Sequence, residues 1–257
     1  MQGTRTAKGE RRGIGLSSAS VLNHKVSSPS AHRHAVEREG LLKRIFAPMP
    51  SRVVVFQGPA GHGKTSLMLQ AQNGCRRRAM LTGWMSLDES DYDITRFLGH
   101  VQQMVAGLLV QAGVAKDAVI PARTADMSSR TNWLVEQLMQ LMQLGGPVAV
   151  FLDDLHFVSS RMMLGFLSEL LASTPPGIRW FLASRLVPEV ELPRLVVGDA
   201  ALVIRAEELR FSHEEFATFF ASSGDAAPGA PEAAGQRQRL RYGHKDLRVP
   251  GQTDWQQ

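Results

Sequence analysis

Eight residues, Gly58 to Thr65 (GPAGHGKT), have the types and spacing of a loop that wraps the phosphates of a nucleoside triphosphate, G-x-x-x-x-G-K-[ST]. Gly58, Gly61 and Gly63 permit positive φ and close backbone approach, so that N–H groups turn inward onto phosphate oxygens; Pro59, Ala60 and His62 complete the loop. Lys64 would neutralise β- and γ-phosphate charge, the Thr65 hydroxyl would ligate Mg²⁺, and Ser66 continues the binding turn. A second group closes the run Val148 to Asp154 (VAVFLDD). A carboxylate at the end of an adjacent strand holds the Mg²⁺ shell in such sites, a role that falls to Asp153, while Asp154 is the candidate for orienting an attacking water. Arg185, just past the apolar run Trp180 to Ala183, is placed to meet a γ-phosphate. His156 is either a phosphate or switch contact or a structural histidine.

These groups need a scaffold, and the flanking patterns supply one. Val53 to Phe56 is a continuous apolar run suited to a strand buried on both faces of a parallel sheet. Ser66 to Gln72 has good helix formers with apolar residues at Leu67, Met68 and Ala71, so the loop joins a strand to a helix. Gly83 to Leu87 predicts a second strand, followed by the acidic cluster Asp88, Glu89, Asp91 and Asp93, whose expected work is capping and solvation rather than metal or partner binding. Asp93 is the natural N-cap of a helix over Ile94 to Gln111, and Ser128 to Leu144 predicts another with Leu134, Leu138, Leu141 and Met142 on its buried face. Further on, Met162 to Ala172 predicts a helix and Ala201 to Ile204 a fifth strand. Leu209 to Phe220 reads as a helix carrying a Ser212 to Glu215 capping box with Phe211 as its staple. Its Phe216, Phe219 and Phe220 form an apolar face in need of a partner. Before the first strand, His34 to Phe46 places Val36, Leu41, Leu42 and Ile45 on one helical stripe, which suits either packing beside a nucleotide base or covering the sheet edge. The expected fold is α/β: a three-layer P-loop NTPase sandwich with a parallel sheet of about five strands.

Composition bounds the rest. The 257 residues carry a net charge of +5, yet ten Lys/Arg against three Asp/Glu lie before Val53, fourteen against seventeen run from there to Ala221, and five against four follow. Basicity therefore belongs to the leader, which weakens any inference of nucleic-acid binding from net charge. The single Cys75 excludes an internal disulfide framework and fits a reducing, cytoplasmic setting. No apolar run is long enough to span a membrane. Residues 1–33 read as a disordered basic leader, 34–221 as the nucleotide-binding domain and 222–257, rich in Ala, Gly, Pro and charge, as a disordered or aberrant tail.

Four segments in this order, AVEREGLLKRI, GPAGHGKTSL, WMSLDESDYDITRFL and VAVFLDDLHFVSS, resemble the nucleotide-binding domain of the large ATP-dependent LuxR-type transcriptional regulators, a group of signal-transduction ATPases. A fifth, from FLASRLVPEVELPRL to AEELRFSHEEFATFF, extends the likeness to about Ala221. The resemblance implies an ATP/ADP switch with Mg²⁺ on Thr65 and Asp153, Arg185 as a sensor arginine, and Val36 and Arg38 flanking the nucleotide. It also implies slow hydrolysis and a nucleotide-dependent choice between monomer and assembly. The winged-helix, inducer-binding and helix-turn-helix domains of such regulators have no counterpart in this sequence, which reads as a truncated or frameshifted member without direct DNA binding. The rival expectations are a free-standing ATPase of the AAA or origin-recognition type, and an interaction fragment that pairs with full-length relatives through the phenylalanine face.

Overall fold

The computed structural model describes residues 25–32, 35–48, 51–114, 127–158, 160–186 and 201–223. The first part of the basic leader, the centre of the polar connection after Gly113, the stretch after Leu186 and the tail beyond Ser223 lie outside the described residues.

Five strands, β1 (Val53–Gln57), β2 (Leu81–Ser86), β3 (Val148–Asp153), β4 (Ile178–Ser184) and β5 (Ala201–Ile204), form one parallel sheet in the order β2-β3-β4-β1-β5. The helices are α1 (Glu39–Ile45), α2 (Lys64–Arg76), α3 (Ile94–Gln111), α4 (Met127–Gly145), α5 (Arg161–Ser173), α6 (Ala206–Leu209) and α7 (His213–Ser223). Alternation along the strands divides the core in two. Val53, Val55, Val148, Val150, Leu152, Trp180 and Leu182 meet α3, α4 and α5 on one face. Val54, Phe56, Ala149, Phe151, Phe181 and Ala183 meet α1 and α2 on the other. These layers make the expected three-layer α/β sandwich. On the α2 face Trp84, Phe151 and Phe181 stack in a row, with centroids 5.6 and 4.4 Å apart. Cys75 is sealed in this layer, where burial pushes its thiol up to about 11 against the opposing pull of Arg179 and Arg78.

Some local expectations change. α1 starts at Glu39, because the chain before it is held in another way: the Gln70 side-chain amide on α2 donates to the Val36 carbonyl at 2.7 Å and accepts from the Arg38 N–H at 2.9 Å. The Ser212–Glu215 capping box starts α7 where the sequence places it, Ser212 N–H donating to Glu215 Oε2 at 2.8 Å and Glu215 N–H to Ser212 Oγ at 3.2 Å, and the short α6 comes just before it. Phe211 stacks on Phe219 at 5.8 Å, a turn beyond the residue a staple would meet. The phenylalanines expected to form an open face are half-buried against one another, Phe216 on Phe220 at 4.5 Å and Phe219 on Phe220 at 5.7 Å.

The acidic cluster is built for capping. Asp88 starts the 3₁₀ turn Glu89–Tyr92 and accepts from Ser90 N–H at 2.8 Å, and Asp93 caps α3 through Thr95 N–H and Arg96 N–H at 2.8 and 3.0 Å. Lys25, expected in a structureless leader, is fixed on this cluster, its ammonium 2.7 Å from Asp88 Oδ1 and 2.6 Å from the fully buried Asp91 carboxylate. The buried His100 completes the group, its Nδ1 2.7 Å from Asp91 Oδ1. Partial burial pushes the Asp88 carboxyl up, but the Lys25 ammonium and the Ser90 hydroxyl and N–H outweigh it and hold the pKa to about 2. A folded pKa below the unfolded value of about 3.9 gives stability that is present above that value and lost as pH falls through about 2. Acid unfolding followed by circular dichroism should therefore be shallower between about pH 4 and 2 in Lys25→Met than in the wild type; identical profiles would remove Lys25 from this role.

Candidate functional site

β1 delivers the chain to the Gly58–Thr65 loop at the C-terminal edge of the sheet, where ligands of open α/β sheets gather. Gly61 and Gly63 both take φ +79°, a conformation that opens this turn without a Cβ penalty. Gly58 is not one of the positive-φ glycines. It is small because a Cβ there would lie 3.3 Å from Ala206 Cα and Cβ and from Leu209 Cδ1, so α6 is seated on the loop. Gly63 is the N-cap of α2 and offers no side-chain cap, which leaves the first-turn N–H groups of the helix open to an anion. Pro59, Ala60, Gly61 and Ser66 are exposed, and His62 sits half-buried with Nδ1 3.3 Å from the Ala60 carbonyl.

Lys64 folds back over its own loop, donating to the Gly58 and Pro59 carbonyls at 2.8 and 2.9 Å. Burial holds its ammonium below the usual lysine range, with Asp154 and Asp153 pulling it up and Arg185 pushing it down. Thr65 Oγ1 donates to Asp153 Oδ2 at 2.8 Å, joining two motifs 88 residues apart. The sequence reading put the acid on a strand adjacent to β1, but β4 lies between β1 and β3. α2 makes up the difference by packing across β2, β3 and β4, which carries Thr65 over to the end of β3. Asp153 is 4 % exposed, and burial holds its carboxyl above the ordinary range despite the hydrogen bond from Thr65.

Asp154 follows in the left-handed region, φ +56° and ψ 39°, with its side chain partly exposed. A non-glycine residue there costs of order 1–2 kcal/mol. The turn lets its own N–H donate back to Asp153 Oδ1 at 2.9 Å and brings Asp154 Oδ1 to 3.7 Å from His156 Nδ1. His156 stacks on Phe157 at 4.4 Å, and burial, with the nearby charges of Arg185 and Lys64, keeps it below the ordinary histidine range while Asp154 opposes them. Arg185 is exposed just past β4, and its charge is felt at both Lys64 and His156. Lys64, Thr65, Asp153, Asp154, His156 and Arg185 are thus brought together. Val36 and Arg38, half-buried and buried respectively, are held against α2 by the Gln70 amide, and the Arg38 guanidinium is turned onto carbonyls between Glu208 and Arg210. Sequence reasoning missed the Gln70 amide that holds the 36–38 backbone and the α6 wall on Gly58, since both join segments distant in the chain.

Thr65 and Asp153 offer one hydroxyl and one carboxylate, a hard oxygen pair suited to Mg²⁺ when phosphate oxygens and water complete the shell. Among the described residues no group of three or more His, Cys, Asp or Glu is arranged to hold a metal by itself. No helix among them is long and apolar enough to cross a membrane.

A family model described as an AAA ATPase domain matches residues 37–181. The chain is 28% identical over 200 residues to the HTH-type transcriptional regulator MalT of Klebsiella pneumoniae subsp. pneumoniae, a match covering 78% of this chain and 22% of the relative, so the chain spans about a fifth of that protein's length. Among solved structures it is similar to the Aeropyrum pernix ORC1 protein in complex with DNA, at TM-score 0.48 and 16% identity over 83% of this chain and 56% of that one. A second is AMPPCP-bound DnaA from Aquifex aeolicus, at TM-score 0.38 and 13% identity over 75% of this chain and 53% of that one.

Proposed function

The chain belongs to the AAA ATPase domain family, and from that premise we propose that it is an ATP- and Mg²⁺-binding switch module, related to the regulator MalT, with slow or no hydrolysis. The observation that carries this reading is the 2.8 Å contact between Thr65 Oγ1 and Asp153 Oδ2, which puts the end of the glycine loop and the end of the acid strand at one point. Lys64 exchanges its two loop carbonyls for β- and γ-phosphate oxygens, the open N–H groups of α2 receive the same phosphates, and Thr65 and Asp153 hold Mg²⁺. When bound, the ion neutralises the phosphate oxygens. Arg185 contributes positive charge on the γ side. The module works in the cytoplasm as part of a signal-responsive transcriptional regulator and associates with copies of itself.

The strained Asp154 favours a second reading, a free-standing ATPase, because backbone strain at a carboxylate beside the loop is what a water-orienting residue would need. Phosphate release by the purified chain separates the two. The switch reading expects Mg²⁺-dependent nucleotide binding with less than about one turnover per minute, well below the usual enzyme range. Sustained turnover at about 1 s⁻¹ or faster, lost in Asp154→Ala, would replace the switch by an enzyme.

A further inference from the structure

Arg38 makes contacts that a nucleotide-flanking role does not explain. Its side chain is 6 % exposed. Nε donates to Glu215 Oε1 at 2.8 Å, Nη1 to the Leu209 carbonyl at 2.8 Å, and Nη2 to the carbonyls of Glu208 and Arg210 at 3.1 and 2.9 Å. The Phe211 ring lies 5.2 Å from the guanidinium carbon. Carbonyls at the end of a short helix have no partners within it, and an arginine from 170 residues earlier in the chain satisfies these. Glu215 has a second duty, since its other oxygen caps α7 at Ser212 N–H. Arg44 pairs with Glu208 from the last turn of α1, which holds the same junction from outside.

These bonds close a circuit around the phosphate-loop candidate. α2, which begins in the loop, holds the Val36–Arg38 backbone through Gln70. Arg38 holds the Glu208–Arg210 turn and, through Glu215, the start of α7. The turn returns to the loop because Ala206 and Leu209 press on Gly58. The Gly58 carbonyl, at the point of contact, is one of the two that Lys64 occupies. Any ligand that draws the ammonium away disturbs the loop where α6 touches it.

We propose that Arg38 is a positioning residue that ties α7 to the Gly58–Thr65 loop, so that filling the loop with phosphate changes the order of α7. The proposal rests on the nucleotide reading above. Packing contact passes the change from Gly58 to Ala206 and Leu209, and the rigid guanidinium fork passes it on to α7, because three carbonyls and a carboxylate must move together with it.

The test is hydrogen–deuterium exchange of the full chain, read by mass spectrometry over the peptides of α7, with and without Mg²⁺ and the slowly hydrolysed analogue ATPγS. In the wild type, nucleotide should change α7 exchange by about fivefold or more, the low end of measured couplings between sites. In Glu215→Ala, which cuts the strut to α7 but leaves the three carbonyl bonds, and in Arg38→Gln, the ratio between nucleotide-bound and free states should fall toward one. A merely structural role would speed exchange in both states equally and leave the ratio unchanged. Should Arg38→Gln fail to fold, the Glu215→Ala ratio decides. If the wild type binds ATPγS but α7 does not respond, or the variants keep the wild-type ratio, the coupling is overturned and the nucleotide reading stands. If the wild type binds no nucleotide, both fall together.

Discussion

Lys64→Ala removes the stabilisation that nucleotide gives this chain. At a hundredfold excess of ATP over its Kd the wild type should gain about 2.7 kcal/mol, and the variant none. For a chain of this length that is a shift in Tm of roughly 5–11 °C, easily read by differential scanning fluorimetry. The free variant should melt close to the free wild type, because two effects oppose. Lys64 donates to the Gly58 and Pro59 carbonyls, whose loss leaves two acceptors wanting. Against that, burial already depresses its pKa, so the ammonium is costly where it stands. The lysine is held on its loop carbonyls at little net gain and is released to phosphate at little cost. An undiminished ATP-dependent shift in Lys64→Ala would overturn its role and with it the assignment of the loop.

Asp153→Asn should separate stability from binding. Burial raises the folded pKa of this carboxyl, so its contribution favours the folded state below the unfolded pKa of about 3.9 and is lost as pH rises through the raised value. At neutral pH the buried charge is therefore destabilising, and the amide relieves it. Asparagine fits the local bonds: its oxygen can accept from Asp154 N–H, and its NH₂ can donate to a rotated Thr65 hydroxyl. The free variant should be at least as heat-stable as the wild type at pH 7, with the gain vanishing below about pH 4. Mg²⁺-dependent tightening of ATP binding should fall by about 10–100-fold, since loss of even an outer-shell group has that effect on a metal site. Titration of a fluorescent ATP analogue with and without Mg²⁺ reads this directly. Full Mg²⁺ dependence in the variant would remove Asp153 from the metal shell.

The readable parts of this fold were those whose signal is local. β1, the start and stop of α3, β5 and the Ser212 cap follow from apolar runs and capping residues within a few positions, and the structure has them where the pattern predicts. Strand order is not local. VAVFLDD announces a strand ending in acids but carries no mark of its neighbour, which is why β4 intervenes unannounced between it and β1. The absence of the predicted helical turn at Val36 to Arg38 has the same origin. Val36 falls on the apolar stripe by spacing, yet its carbonyl is taken by Gln70, 34 residues on, and the helix ladder begins only afterwards. Lys25 looked solvated among serines because its partners lie 63 and 66 residues away. In the site the split is similar: residue types in the glycine loop and the acid pair foretell the chemistry, whereas the use of Gly58 as a seat for α6 is visible only once both ends of the chain are folded together.

The sealed thiol has a practical side. With its pKa raised to about 11 by burial and no exposure, Cys75 has the environment of an inert, buried structural thiol. It is the sole cysteine, so the chain is in effect ready for single-site labelling. A cysteine introduced on the surface, for instance in place of Ser66 beside the loop or Thr218 on α7, would carry a dye without background and without stripping out a native residue.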